Sequence, residues 1–180
     1  MRAALFGGSF DPPHIGHDAI VKSALQNLHV DTLFIMPTWK NPFKTSFNAS
    51  PIQRFKWAEK LWGKIQGVSV LDYEISQEKP VTSYESVKYL KNLYNLEHIY
   101  LIIGADNLKS LHKWNNYEKL KNEVEFVIAS RDGQKLPNDL KKLPINVNIS
   151  SSDLRESPNP DFIPASIRDE ILRYYKQGKK

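Results

Sequence analysis

The sequence predicts an α/β fold: a doubly wound parallel sheet in a single domain over residues 1–180. Three observations carry that expectation. Short apolar runs alternate with stretches of helical spacing along the whole chain, the pattern of strands covered by helices on both faces. Several of those runs end directly in glycines or serines, where sheets of this kind bind ligands. At 180 residues, with no internal repeat and no linker, the chain suits one sizeable core.

The first strand is Ala3-Ala4-Leu5-Phe6, short and wholly apolar. It runs into Gly7-Gly8-Ser9-Phe10-Asp11-Pro12-Pro13-His14-Ile15-Gly16-His17. Behind that loop Ile20, Val21, Ala24, Leu25 and Leu28 recur at helical spacing. The motif is therefore a strand–loop–helix junction. Glycines let a ligand approach the backbone, and the unpaired N–H groups of a helix start attract anions, phosphates above all. His14 and His17 lie three residues apart, on roughly one face of the first turn. Two imidazoles over an anion site suit charge stabilisation in phosphate chemistry. The loop is neither a P-loop, which needs a lysine after its glycines, nor the dinucleotide fingerprint Gly-x-Gly-x-x-Gly. A zinc site from His14, His17 and Asp11 is the weaker option, because His-x-x-His is not a usual zinc spacing.

Thr32 to Met36 forms the second strand, closed by Pro37. A loop from Pro37 to Ser50 follows, carrying Trp39, Lys40, Phe43 and Lys44. Ser50-Pro51-Ile52-Gln53 predicts a helix start, with Ser as cap, Pro in the first position and Gln completing a capping box. That helix is expected to reach about Ile65. Val68 to Leu71 is the third strand, and Thr82-Ser83-Tyr84-Glu85 is a second capped helix start. Ile99 to Ile103, the most apolar run, predicts the sheet centre and ends in Gly104-Ala105-Asp106. Val124 to Ala129 is the next strand, followed by Arg131. Residues 132–143 predict a polar surface loop, and Ile145 to Ile149 a short final strand. Ser150 to Glu156 opens a helix that brings hydroxyls, N–H groups and the Arg155 guanidinium into one turn. N-capping alone explains one of those serines, not the run with its arginine. A last helix spans Pro164 to about Lys176.

Composition excludes several classes. The sequence has no cysteine, hence no disulfide framework and no thiolate metal site. No apolar run approaches a membrane span, and the N-terminus lacks a signal-peptide stretch, so a cytoplasmic protein is expected, with no membrane partner. A net charge of +5 fits polyanionic ligands, but the basic residues are scattered and charge alone decides nothing.

Ser-Phe-Asp-Pro-Pro-His-Ile-Gly-His resembles the (T/S)-F-D-P-x-H-x-G-H signature of the nucleotidyltransferases that move AMP or CMP from a nucleoside triphosphate. Ile149-Ser-Ser-Ser-Asp-Leu-Arg155 resembles the I-S-S-T-x-I-R signature at the far end of the same superfamily, with Ser152 in place of Thr. Ser83-Tyr84, Gly104-Ala105-Asp106 and Trp114-x-x-Tyr117, with Arg131, look like the bacterial nicotinate-nucleotide adenylyltransferases. Asn41-Pro42-Phe43-Lys44 matches that family's N-P-x-H-K loop, with Phe43 where His is usual, and Glu85 stands where Thr is usual. A carboxylate facing an acidic substrate would repel it, so Glu85 is expected to point away.

The resemblance implies a Rossmann-like nucleotidyltransferase fold whose residues 150–180 form the phosphate-binding helix and the final helix. It implies transfer of the adenylyl group of ATP to nicotinate mononucleotide, releasing pyrophosphate, with Mg²⁺ carried by ATP and no dedicated metal site in the protein. His14 and His17 would be catalytic. Gly7, Gly8, Ser9, Phe10, Gly104, Asp106, Ser151, Ser152 and Arg155 would bind ATP. Lys44, Ser83, Tyr84, Trp114, Tyr117 and Arg131 would bind the mononucleotide. A monomer or homodimer without nucleic acid is expected. The alternatives are a sister transferase taking pantetheine phosphate or FMN, or, from another class, a basic nucleic-acid-binding protein that leaves His14 and His17 idle.

Overall fold

A computed structural model of the chain describes residues 1–40, 49–131, 137 and 140–177. Six strands build its sheet: β1 (Arg2–Gly8), β2 (Thr32–Pro37), β3 (Val68–Val70), β4 (His98–Gly104), β5 (Glu125–Arg131) and β6 (Lys141–Ile145). All pairings are parallel, in the order β3-β2-β1-β4-β5-β6. The chain walks outward from β1 to β3, then returns to lay β4 beside β1. Leu5 stands opposite Phe34 on one side and Leu101 on the other. That return makes the β1–β4 junction the point where the sheet order reverses, and a crevice opens at the carboxyl ends of the two strands.

Alternation along the strands divides the core into two faces. Ala4, Phe6, Ile35 and Ile102 pack with Val21 and Ala24 of α1 (Ile15–Asn27), with Leu28 that caps it, and with Ala58 and Trp62 of α2 (Pro51–Trp62). Ala3, Leu5, Met36, Leu101 and Ile103 pack on the opposite face. There they meet Val87 and Leu90 of α4 (Ser83–Leu93), which follows the single turn α3 (Tyr73–Ser76), and Leu120 of α5 (Tyr117–Leu120). Burying both faces is what makes the strands read as near-continuous apolar runs. A third cluster joins Trp57 of α2 and Leu154 of α6 (Ser151–Glu156) to Ile171 and Tyr175 of α7 (Arg168–Gln177).

Several boundaries differ from the sequence expectation; the last helix, for one, starts at Arg168 after a short 3₁₀ turn over Ala165–Ile167, not at Pro164. The sixth strand is Lys141–Ile145 rather than 145–149, so part of the expected surface loop belongs to the sheet. Leu143 and Ile145 are its buried positions, while Lys141, Lys142 and Pro144 stay exposed. An edge strand tolerates that composition because proline and lysine blunt the unpaired side. The helix α2 stops at Trp62, where the Gly63 N–H bonds Glu59 O, short of Ile65. Its Ser50 cap accepts from Gln53 N as expected, but the cap is this single bond with Pro51 in the first turn, and Gln53 does not return a second one.

Candidate active site

The glycine loop turns sharply after β1. Phe10 is held at φ 48 and folds its ring back into the core against Phe6, His17 and Trp62. A Cβ at Gly8 would come within 2.8 Å of that ring, so glycine is needed there for close approach. Phe10 is thus a buried support under the loop, 1% exposed and outside the cavity wall.

His14 is the N-cap of α1. Its Nδ1 accepts from the N–H groups of Gly16 at 3.1 Å and His17 at 3.3 Å. His17 Nδ1 in turn accepts from the His14 N–H at 3.2 Å, closing a capping box made of two imidazoles. The rings stack with centroids 3.7 Å apart and planes 20° from parallel. A neutral imidazole whose Nδ1 accepts carries its proton on Nε2, so the backbone fixes the tautomer of both rings. A Cβ at Gly16 would sit 3.0 Å from the His14 ring, which explains the small residue between them.

The start of α6 docks on this loop. Ser151 Oγ donates to Pro12 O at 2.9 Å, and Arg155 spreads its fork between Asp11 O at 2.6 Å and Ser152 Oγ at 3.0 Å. Ser150 caps the helix in a box with Asp153. Asp11 itself turns away from the histidines: its Oδ1 accepts from Ala49 N at 3.0 Å and from the Tyr175 hydroxyl at 2.6 Å. Burial and that carboxylate push the Tyr175 hydroxyl far above its usual range. The zinc set of His14, His17 and Asp11 therefore loses its carboxylate to the fold. Among the described residues no three His, Cys, Asp or Glu side chains gather to hold a metal ion.

Sequence reasoning missed Arg54, which is fully buried on the apolar face of α2. Its guanidinium donates to Ser9 O at 2.6 Å, Thr38 O at 2.7 Å, Trp39 O at 2.9 Å and Ala49 O at 3.3 Å. It ties the glycine loop, the end of β2 and the entry of α2 together. Burial lowers its pKa and Asp11 opposes that shift. The available signal was an arginine inside the stripe Arg54, Trp57, Ala58, Leu61 and Trp62.

These elements surround a cavity of about 770 Å³ at the sheet reversal. Gly7, Gly8 and Ser9 line it from the end of β1, His14 and His17 from the start of α1, Ser151 and Ser152 from the start of α6, and Gly104 and Asp106 from the end of β4. Ser83, Thr82, Glu74 and Trp114 line the other side, and Thr38, whose N–H donates to Gly8 O at 3.0 Å, lines it just past β2; Thr38, Glu74 and Thr82 were not among the expected site residues. Tyr84 and Tyr117 pack instead with the core below, Tyr117 stacking on Phe126. Lys44 and the rest of Asn41 to Lys44 fall outside the described residues, as does the Arg131 side chain, although its backbone ends β5. Glu85 points away as expected, its carboxylate held by the Thr82 N–H at 2.8 Å and hydroxyl at 2.7 Å. Those two bonds lower its pKa.

The wall holds polar atoms without partners among the described residues. Ser9 Oγ, Thr38 Oγ1 and Trp114 Nε1 are buried and unbonded. An orphaned polar atom costs about 1–3 kcal/mol, which a polar ligand or water can relieve. Glu74 is the remaining buried charge of the wall, 6% exposed. Ser86 Oγ donates to its Oε1 at 2.8 Å. Burial nevertheless pushes its carboxyl up to about 7, with Glu85 adding to the rise and Ser86 and Arg54 opposing it. Folding thus favours the protonated form. That contribution is complete below about pH 4.5 and is lost as pH rises through about 7.

A reversal-point cavity entered by two helix starts, with a fixed pair of imidazoles between them, defines a nucleotidyltransferase of the α/β class. The sequence model of the cytidylyltransferase-like family matches residues 5–157. A "Probable nicotinate-nucleotide adenylyltransferase" of Campylobacter jejuni is 51% identical over the whole chain and 99% of its own length. A protein of the same name from Aliarcobacter butzleri is 48% identical over the full length of both. The chain belongs to the nicotinate-nucleotide adenylyltransferase family. In fold it is similar to the Plasmodium falciparum nicotinic acid mononucleotide adenylyltransferase solved with NaAD, at a TM-score of 0.78 over 97% of both chains and 22% identity.

Proposed function

We propose that the enzyme transfers the adenylyl group of ATP to nicotinate mononucleotide, giving deamido-NAD and pyrophosphate. The single observation that carries this is the full-length identity of about half to relatives of that name. The form of the cavity agrees with it. A phosphate oxygen of the mononucleotide attacks the α-phosphorus of ATP. The bond from that phosphorus to the bridging oxygen breaks, and pyrophosphate leaves with the electron pair. The nucleophile is already an anion, so no general base is needed. Catalysis then rests on positioning and on stabilising charge that builds in the transition state.

In this reading His14 and His17 donate from Nε2 to the α-phosphate oxygens. Gly7, Gly8 and Ser9 approach the nucleotide through backbone, and Asp106 and Gly104 flank its ribose. Ser151, Ser152 and Arg155 take the leaving pyrophosphate, with Phe10 supporting the loop from below. Ser83 and Trp114, with Lys44 and Arg131, make up the acceptor end, and Tyr84 and Tyr117 support it from the core behind. Mg²⁺ arrives on the triphosphate as part of the substrate, which asks few ligands of the protein. The reaction belongs in the cytoplasm with soluble nucleotides, carried out by a monomer or a homodimer.

The test is pyrophosphate release from Mg-ATP with nicotinate mononucleotide, nicotinamide mononucleotide, pantetheine phosphate or FMN as acceptor. Nicotinate mononucleotide should give the highest kcat/KM, with deamido-NAD as product by mass. Faster release with pantetheine phosphate or FMN would overturn the reading.

A further inference from the structure

Nothing in the reaction just described uses Glu74. It stands on the single turn α3 between β3 and α4, almost wholly buried, and forms part of the wall that also contains Thr82, Ser83 and Trp114. A buried carboxyl facing a site that admits an anionic ring substituent is chemically conspicuous. Ionised, it would set like charge against like in a medium that screens poorly.

Resting on the acceptor reading above, we propose that Glu74 determines specificity at the acceptor ring. As a neutral carboxyl it admits a ring carboxylate; as a carboxylate it repels that group and accepts a hydrogen bond from a ring amide. The hydrogen-bond arrangement permits both forms. Ser86 Oγ lies 2.8 Å from Glu74 Oε1 and 3.3 Å from Thr82 O, and its one proton can serve either. With Glu74 ionised, Ser86 donates to it. With Glu74 protonated, the carboxyl can donate to Ser86, and Ser86 to the carbonyl of Thr82, the residue that caps α4.

The charged groups around Glu74 set the balance. Arg54 from α2 favours the ionised form, and Glu85 from the start of α4 opposes it. Tyr73 on the same turn stacks on Tyr89 of α4, and Glu74, Glu85 and burial all raise its pKa, so it stays neutral. The strand β2 beneath, Thr32–Pro37, carries no titratable side chain. Burial outweighs the rest and leaves the group titrating near neutrality.

The experiment measures kcat/KM for nicotinate and nicotinamide mononucleotides from about pH 6 to about pH 8.5. The ratio of the two cancels the titration of ATP and of the acceptor phosphate, which both acceptors share. In the unaltered enzyme the preference for the nicotinate form should fall at least about tenfold across that range, the scale of one unfavourable charge contact. In Glu74→Gln the ratio should be flat. In Ser86→Ala, which removes the donor that stabilises the carboxylate, the fall should move to higher pH. A merely structural Glu74 would lower the melting temperature of its variants and leave the pH profile of the ratio unmoved. A flat ratio in the unaltered enzyme, or an unchanged slope in Glu74→Gln, overturns the proposal. Pyrophosphate release with neither mononucleotide would overturn the acceptor reading itself.

Discussion

Around the glycine loop, side chains are spent on the main chain: Ser151 donates to Pro12 O, Arg155 to Asp11 O and Arg54 to Ser9 O, while His14 accepts from the amides of its own helix. Across the cavity Trp114 Nε1 is buried without a partner among the described residues, and burial pushes the Glu74 carboxyl up to about 7. The first region is fastened before any ligand arrives, with Ser9 Oγ and Thr38 Oγ1 left unbonded among the described residues, and the second holds an unbonded indole N–H and a titratable carboxyl. Preorganised donors suit charge that develops in a transition state, because they need no rearrangement at the moment of reaction. Unsatisfied groups suit recognition, because a wrong ligand leaves them unpaired. Substitutions in the first region should therefore act on turnover, and substitutions in the second on the choice of acceptor.

The strongest challenge to that contrast is His17→Ala. Removing one donor to the developing charge should lower kcat at least about a hundredfold. The variant also loses the acceptor for the His14 N–H, a cap worth about 1 kcal/mol, so its thermal midpoint should drop only a few degrees. The selectivity between the two mononucleotides should stay within a few fold. Steady-state kinetics and a thermal melt together check this. Turnover close to that of the unaltered enzyme would remove the imidazole pair from the chemistry.

A smaller effect is expected from Arg155→Lys. The guanidinium reaches Asp11 O and Ser152 Oγ at once, whereas an ammonium has no planar fork with which to hold both. We expect kcat/KM for ATP to fall roughly tenfold or more while the acceptor KM is little changed. Equal losses for both substrates would mean that Arg155 shapes the whole cavity, and the division into two regions would fail.

How much of this was legible in the sequence follows the same line. The α1 and α6 starts were readable because each is a continuous stretch whose caps, glycines and histidines lie within one or two turns. The capping box of Thr82 and Glu85 was readable for the same reason, and with it the outward direction of Glu85. Glu74 was not, since in Asp72-Tyr73-Glu74-Ile75 nothing distinguishes an exposed carboxylate from a buried one. Only the tertiary fold brings it to the cavity wall that also contains Trp114. Tyr84 and Tyr117 show the converse side of locality. Their place next to Ser83 and Trp114 suggested a shared ring pocket, yet each packs into the core cluster beneath the sheet. The edge strand β6 was shifted because Lys141, Lys142 and Pro144 carry loop composition, while its pairing to Val127–Arg131 is a tertiary fact.

The smallest effect on activity, and the sharpest control, is expected from Tyr175→Phe. Tyr175 lies on α7, 164 residues from Asp11, and donates its hydroxyl to Asp11 Oδ1 at 2.6 Å. Asp11 in turn belongs to the loop that carries the histidines, and its backbone oxygen holds Arg155. Phenylalanine keeps the ring that packs beside Trp57 and Tyr174, so the change isolates the hydroxyl. The carboxylate keeps the Ala49 N–H as a donor but is left short of one partner in a buried place. Such a deficit costs about 1–3 kcal/mol, or on the order of 2–10 °C in the thermal midpoint for a chain of this size. The loop remains fastened by Arg54, Ser151 and Arg155, all of which bind main-chain atoms that the substitution does not touch. Turnover should accordingly stay within a few fold, with selectivity unchanged. A loss of turnover comparable to that of His17→Ala would show that the C-terminal helix sets the position of the histidines, and that the α1–α6 region is less self-sufficient than its main-chain fastenings imply.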